Sequence, residues 1–481
     1  MKKRFNRLTT LNLFRIFIKK EVTILYPWIY TRAKEQPDDI ALITETERWT
    51  WSELYARAHR LASTWATIVT RGDRIALYGP SSAQYIVALH AAQLLELTVV
   101  PINTRLTQTE VLRQFKQADV RLVVTDRILD TAIPCRAFSY EKEAPDLLIR
   151  HMPKQYVQSM LFTSGTTGHP KAVEQTMLNH FSSATNAARH IGSLPEDRFL
   201  IVTPLFHMSG LAVVYRAVIY GVPIILEPHF SPERALHWIT TEKITHVSLV
   251  SVMLDRLLEA GLRRHALRVV LTGGGPVPLP ILTRALDRNI PVMQTYGMTE
   301  TASQIATLLP EDALRKIGSA GQAIYPTQIR ITRHQEIEVK GPTIMKGYFH
   351  DEEKTADAFT ADGFFKTGDL GRLDADGYLY VLDRRSDLII SGGENIYPAE
   401  VESALLSIDG IQEAGVVGRF DAKWGQVPVA FIVSSLDEAI IRTEISQLLA
   451  KYKCPVDYIY HSVLPRNANG KLLRKQLKES L

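Results

Sequence analysis

The chain has 481 residues, too many for one small core, so two or three domains are expected. A composition that is 46% apolar and 22% charged is that of an ordinary soluble globular protein, and a net charge of +5 is too weak and dispersed to support nucleic-acid binding. Cys135 and Cys454 are the only cysteines and lie far apart, which argues against a disulfide framework or a zinc site and for a reducing, cytoplasmic setting.

Met1 to Glu21 is rich in Lys and Arg with apolar residues between them. Its apolar stretch from Leu11 to Ile18 is too short and interrupted to span a bilayer or form a signal-peptide core, so no stable membrane insertion is expected. A basic amphipathic anchor is one reading. The preferred expectation is that translation starts near Val22, leaving 1–25 as an extension outside the working protein. Globular sequence then begins at Tyr26-Pro27-Trp28, and N-terminal sequencing of the native protein decides between the two.

From about residue 40 to 300, short β-branched runs alternate with longer helical patterns. Arg74 to Tyr78 reads as a strand, Ser82 to Leu95 as a helix, and Thr98 to Pro101 as a strand. Thr107 and Glu110 have the spacing of a capping box that opens a helix, and Leu122 to Val124 is the next strand. Such βαβ units give a mainly parallel sheet covered by helices. Past residue 320, Glu336 to Lys340 alternates like a half-exposed strand. Asp362-Gly363 and Asp376-Gly377 read as tight turns between antiparallel strands. Asp374, Asp376 and Gly377 faintly suggest a calcium loop, but the remaining ligands are missing and a hairpin is the better reading. A smaller α+β unit follows from Asp387.

The most informative segment is Phe162-Thr163-Ser164-Gly165-Thr166-Thr167-Gly168-His169-Pro170-Lys171. Glycines let a backbone approach an anion, hydroxyls add donors, and lysine adds a compact charge, so the run suits a loop around a polyphosphate. The apolar run Val157 to Phe162 places it at the carboxyl end of a strand, where open α/β sheets bind ligands. It is not a Walker A loop, because His169 and Pro170 separate Gly168 from Lys171. Nor does Thr272-Gly273-Gly274-Gly275-Pro276 have dinucleotide-fingerprint spacing.

The loop resembles the signature of the adenylate-forming superfamily of acyl-CoA synthetases, luciferases and adenylation domains, although Ala172 stands where the pattern has Gly. Further motifs follow in the family's order, from roughly Trp28 to Lys478. The resemblance implies an α/β fold: a large N-terminal domain of βαβ-built sheets over 26–385, with a barrel-like antiparallel part at 320–385, and a small mobile α+β lid at 386–481. It implies that Thr163 to Gly168 and Lys171 hold phosphates, and that Gly273, Gly274 and Gly275 lie against adenine. In Tyr296-Gly297-Met298-Thr299-Glu300-Thr301 it has Tyr296 stack on adenine, Thr299 touch phosphate and Glu300 hold magnesium. It makes Asp369 and Arg384 ribose or phosphate contacts and Lys471 the catalytic lysine. It puts the hinge at Ser386, a departure from the usual acid or lysine, and the thiol route along Gly392, Gly393 and Glu394.

The implied reaction is two-step. A carboxylate attacks ATP to give acyl-adenylate and pyrophosphate, and the coenzyme A thiol then displaces AMP. Four phrases, Pro101 to Leu106, Pro204 to Leu211, Thr299 to Gln304 and Arg384 to Pro398, look like o-succinylbenzoate–CoA ligases of menaquinone synthesis. That acid carries a second carboxylate, so the pocket needs a cation or several donors. His207, Ser303 and Gln304 are candidates by position. Arg216 is weaker, because an arginine on what reads as an amphipathic stretch is more often solvated or structural. Ligation of another aromatic or medium-chain acid, loading of a separate carrier protein, and a catalytically dead module stay open, as does the oligomeric state from monomer to homodimer or higher.

Overall fold

The structure is a computed structural model that describes residues 24–139, 147–163, 170–275, 277–384, 387–391, 394–421, 424–449, 451–467 and 470–481, without the side chains at 24, 384, 394 and 395. The expectations for 1–23, Ser164 to Gly168, Ser386, Gly392 and Gly393 therefore lie outside the described residues, as do those for the side chains of Arg384 and Glu394.

Two large sheets carry the N-terminal part. The first has seven strands in the order Gly347–Tyr348, Lys171–Thr176, Val157–Thr163, Thr98–Pro101, Arg74–Leu77, Val120–Val124, Cys135–Arg136. Its strands at 74, 98 and 120 are parallel, and the helices Ala83–Leu94 and Gln108–Gln117 connect them. The expected capping box is present: Thr107 Oγ1 accepts the Glu110 N–H at 3.4 Å and Glu110 Oε2 accepts the Thr107 N–H at 2.8 Å. The second sheet has nine strands, with a parallel core of His246–Leu249, Val269–Thr272 and Val292–Met298 and an antiparallel extension through Ser303–Thr307. Runs such as Val269–Thr272 are buried along their whole length, as strands covered on both faces must be.

A four-stranded antiparallel sheet follows, ordered Gln328–Ile331, Glu336–Lys340, Phe365–Leu373, Leu379–Arg384. The Asp374 to Gly377 hairpin is no calcium loop: Lys316 Nζ supplies the cation, 2.7 Å from Asp374 and 2.6 Å from Asp376. Asp362-Gly363 differs from the expected strand-to-strand turn. It leads out of the helix Glu352–Ala358, with only a single bridge, Phe359 to Phe365, closing it. The small C-terminal domain wraps the helices Pro398–Leu406 and Glu438–Leu448 on a sheet built around the long pair Ile411–Asp421 and Gly425–Ser434.

Three histidines of the large domain, His90, His180 and His246, are buried and His207 is partly buried, and desolvation pushes each of the four down. His90, His180 and His246 fall to about 3 and His207 to about 4. Each folded pKa lies below the unfolded value, so the unfolded chain binds the extra protons and stability falls as pH drops from about 6.5 toward 4. Each histidine contributes up to ~1.4 kcal/mol per pH unit in that window. The expected result is a steep drop in the denaturation midpoint between pH 6.5 and 5, and a flat midpoint there contradicts it.

Candidate active site

The strands that flank the phosphate-loop segment pair with each other, and Thr163 ends the first of them, so the segment follows a strand's carboxyl end as expected. Val157–Thr163 runs parallel to Thr98–Pro101, but its other neighbour, Lys171–Thr176, returns antiparallel with Lys171 opposite Thr163. Ala172 sits buried in that returning strand and is not among the positive-φ residues, so replacing the family's glycine costs no backbone strain. Lys171 Nζ lies 4.6 Å from the centroid of the Tyr348 ring, and the Tyr348 hydroxyl is 3.3 Å from Glu300 Oε1. One tyrosine on a neighbouring strand thus links the two charges expected at the phosphates. Gln175 Nε2 donates to the Thr299 carbonyl at 2.6 Å and ties this strand pair to the turn that carries Glu300.

That turn, Thr299–Thr301, is a short 3-10 helix between the strands Val292–Met298 and Ser303–Thr307. The backbone doubles back so closely that a Cβ at Gly297 would stand 2.0 Å from the Ser303 carbonyl oxygen. Ala302 and Ser303 take φ of +50° and +98°, which L residues rarely adopt, and the Thr301 hydroxyl holds the bend by donating to the Ser303 carbonyl at 2.7 Å. Gly297→Ala should cost about 1–3 kcal/mol through overpacking and displace Glu300. Thermal unfolding and the KM for ATP measure the two effects together, and an unchanged KM contradicts the second.

On the nucleoside side, the Tyr296 hydroxyl donates to Asp369 Oδ2 at 2.8 Å, with both residues buried. Asp369 stands opposite Arg384 in the register of their strands. Gly273 follows the neighbouring strand, where its N–H reaches the Leu249 carbonyl at 3.3 Å, and a Cβ at Gly275 would meet nothing within 4 Å. The glycine stretch therefore leaves open space at Gly275. Lys471 belongs to the other domain, yet its turn reaches this place. Gly470 has φ of +74°, and a Cβ there would be 3.2 Å from Val250, the same side chain that a Cβ at Gly274 would meet at 3.7 Å.

The acid side changes the ranking of the candidates. The helix Met208–Tyr220 is not amphipathic, since Met208, Leu211, Val214, Tyr215, Ala217 and Val218 are all buried. An arginine in a helix that is apolar all round is buried too, and Arg216 is 5% exposed. Its guanidinium donates to Gln304 Oε1 at 3.1 Å, Ser303 Oγ at 3.1 Å and Ser183 Oγ at 3.4 Å, while Nε has no partner. Among the described residues no carboxylate pairs with it, and desolvation pushes its pKa down. Arg216 also lines a narrow cavity with Tyr220, His246, Ser248 and Leu271. His207 does not join this group. It precedes the same helix at the far end, about 13 Å along the axis from Arg216.

Comparison with known proteins places this geometry. The profile of a family described as AMP-binding enzyme matches residues 29–349, and one described as AMP-binding enzyme C-terminal domain matches 400–471. The chain belongs to the AMP-binding enzyme family. This AMP-binding enzyme is 42% identical to a 2-succinylbenzoate–CoA ligase of Listeria innocua, over 94% of its own length and 98% of the relative's. It superimposes on the o-succinylbenzoate CoA synthetase of Bacillus subtilis in complex with the acyl-adenylate intermediate, with a TM-score of 0.91 at 42% identity, over 95% of this chain and 99% of that one. The same enzyme with ATP and magnesium gives 0.90, over 95% of this chain and 100% of that one. A double mutant of it bound to a product analogue gives only 0.75 at the same identity, over 95% of this chain and 99% of that one. This chain is thus more similar in overall structure to the adenylate and ATP complexes than to the product-analogue complex.

Among the described residues no cluster of three or more His, Cys, Asp or Glu could hold a metal unaided. One carboxylate, Glu300, linked through Tyr348 to Lys171, is nonetheless a donor set suited to magnesium, which takes one or two carboxylates and fills its shell with phosphate oxygens and water. No helix among the described residues is long and apolar enough to cross a membrane.

Proposed function

We propose that this AMP-binding enzyme is a cytoplasmic ATP-dependent acid–CoA ligase that converts 2-succinylbenzoate to its CoA thioester in menaquinone synthesis. The observation that carries the choice of acid is Arg216, a buried cation with hydrogen-bonding neighbours Ser303 and Gln304 and no carboxylate partner among the described residues. A buried charge without a counter-ion is costly, and a substrate carboxylate offsets that cost.

A carboxylate is a poor acylating agent because oxide leaves badly. Attack of its oxygen on the α-phosphorus of ATP forms an O–P bond, breaks the bond to the β-phosphate bridging oxygen, and releases pyrophosphate. Two anions must meet, so the protein's task is positioning and charge neutralisation. Lys171 and the loop from Thr163 through Gly168 hold the polyphosphate. Gly273 to Gly275 and Tyr296 receive adenine, and Asp369 with Arg384 takes the ribose. Thr299 meets phosphate, and Lys471 sets its ammonium between the α-phosphate and the carboxylate. Magnesium held by Glu300 supplies further positive charge at the phosphates. The coenzyme A thiolate, arriving along Gly392, Gly393 and Glu394, then attacks the acyl carbon and expels AMP. Rotation about Ser386 separates Lys471 from the site for that step.

The test is incubation with ATP, Mg²⁺, coenzyme A and a panel containing o-succinylbenzoate, benzoate, hexanoate and several amino acids. Strong preference for o-succinylbenzoate in thioester formation is the expected result. Thioester from another acid overturns the substrate and keeps the reaction, and AMP release without thioester transfers the role to a carrier-protein thiol.

A further inference from the structure

Lys471 stands at the end of a turn held by bonds between Asn467 and Lys471. The Asn467 N–H donates to the Lys471 carbonyl at 2.8 Å, and the Lys471 N–H donates to Asn467 Oδ1 at 2.9 Å. Two arginines beside the turn tie it to other elements. Arg466 pairs with Glu413 at 2.7 Å and donates to the Gly470 carbonyl at 2.9 Å, which fixes the turn within the small domain. Arg474, three residues past Lys471, reaches further. Its guanidinium pairs with Glu402 at 2.7 Å and lies 3.5 Å from Asp387 and 4.0 Å from Asp383, with only 15% of its side chain exposed.

These three carboxylates come from different parts of the chain. Glu402 is on the helix Pro398–Leu406 of the small domain, and its Oε1 also accepts the Val416 N–H at 2.8 Å. Asp383 is on the strand Leu379–Arg384, paired with the strand that carries Asp369 and standing opposite Leu370. Its Oδ2 also accepts the Ala399 N–H at 2.9 Å. A planar guanidinium can meet several carboxylates at once, which an ammonium cannot do in fixed geometry.

We infer that Arg474 is a positioning residue for adenylation: by joining the turn after Lys471 to Asp383 on the strand beside the ribose carboxylate, it sets the lysine at the nucleotide. The inference rests on the role proposed for Lys471. It gives Arg474 no contact with substrate, and its effect passes wholly through Lys471. A merely structural role would instead lower both half-reactions alike.

The experiment measures the half-reactions separately, as acid-dependent ATP–pyrophosphate exchange and as thioester formation from added acyl-adenylate. Arg474→Ala should lower exchange about 30–100-fold, the loss that a misplacement near 1 Å brings, and leave the thioester step within about threefold. Arg474→Lys should recover part of the exchange. In a Lys471→Ala background, Arg474→Ala should add nothing. Asp383→Asn keeps an acceptor for Ala399 and removes the charge, so it should show the same selective loss and serves if Arg474→Ala does not fold. Equal loss in both half-reactions, or an additive loss without Lys471, overturns the proposal. If Lys471→Ala itself spares exchange, the role of Lys471 falls first. If Lys471→Ala abolishes exchange while Arg474→Ala spares it, only the positioning role falls.

Discussion

Lys471→Ala should lower acyl-adenylate formation by at least a factor of about 10²–10³, the usual effect of removing one group that stabilises charge in a transition state. The carboxylate and the α-phosphate both carry negative charge as the new bond forms. In the proposed role, an ammonium between them would neutralise both at once. The turn that presents Lys471 has Gly470 at φ +74° against Val250, whose methyl groups also border Gly274, so the backbone before the lysine is already at the nucleotide's glycine stretch. Lys471→Arg should restore little, because a planar fork does not replace a compact point charge within a turn of fixed geometry. Thioester formation from added adenylate should be spared, since that step needs no neutralisation of pyrophosphate. Pyrophosphate exchange and single-turnover thioester assays separate the two. Equal loss in both would mean that the lysine supports the fold of the small domain instead of adenylation.

Much of this site was legible because its chemistry uses residue types in fixed spacing. Lys171, Glu300 and Asp369 stand in motifs whose glycines and hydroxyls are rare together by chance, and the structure links two of these through Tyr348 and the third to Tyr296. Tyr348 itself carried no signal, as a single tyrosine in a strand is ordinary core. Gln175 was hidden in the same way, since its bond to the Thr299 carbonyl crosses 124 residues. The βαβ alternation gave the fold class, but it did not divide the strands between two sheets. Ile40–Ile43 joins Ile224–Leu226, while the strands Arg74–Leu77, Thr98–Pro101, Val120–Val124 and Val157–Thr163 belong to the other sheet, and no local pattern encodes that exchange. The loop's place at the carboxyl end of Val157–Thr163 is legible, but the returning strand Lys171–Thr176 is not, because a strand followed by glycines looks the same whether a helix or a strand comes next. The burial of Arg216 is what reading its helix as amphipathic misses. Its helix has apolar residues on every face, and that pattern predicts burial of whatever polar residue it contains.

Arg216→Met should raise the thermal midpoint of the free enzyme while lowering kcat/KM for o-succinylbenzoate by two orders of magnitude or more. Both effects come from one fact, that a guanidinium is buried among Ser183, Ser303 and Gln304 with no carboxylate opposite it among the described residues. In the free protein the charge has lost its hydration and has received only neutral acceptors, so a methionine of similar length removes a desolvation cost of several kcal/mol. In the complex the ring carboxylate of the substrate would supply the missing counter-ion, and deleting one partner of a buried ion pair costs about 3–5 kcal/mol. Binding of this acid therefore draws on strain already present in the free fold. An acid that lacks the second carboxylate should lose little with Arg216→Met, because it leaves no charge unpaired. Ser303→Ala should reproduce the selectivity loss in weaker form, as it removes one of the acceptors that aim the guanidinium. The decisive comparison is the ratio of kcat/KM for o-succinylbenzoate and for a monocarboxylate analogue, measured in both variants beside their thermal midpoints. A lower midpoint with an unchanged ratio would make Arg216 a structural residue and would move the search for the second-carboxylate contact to His207, at the other end of the helix.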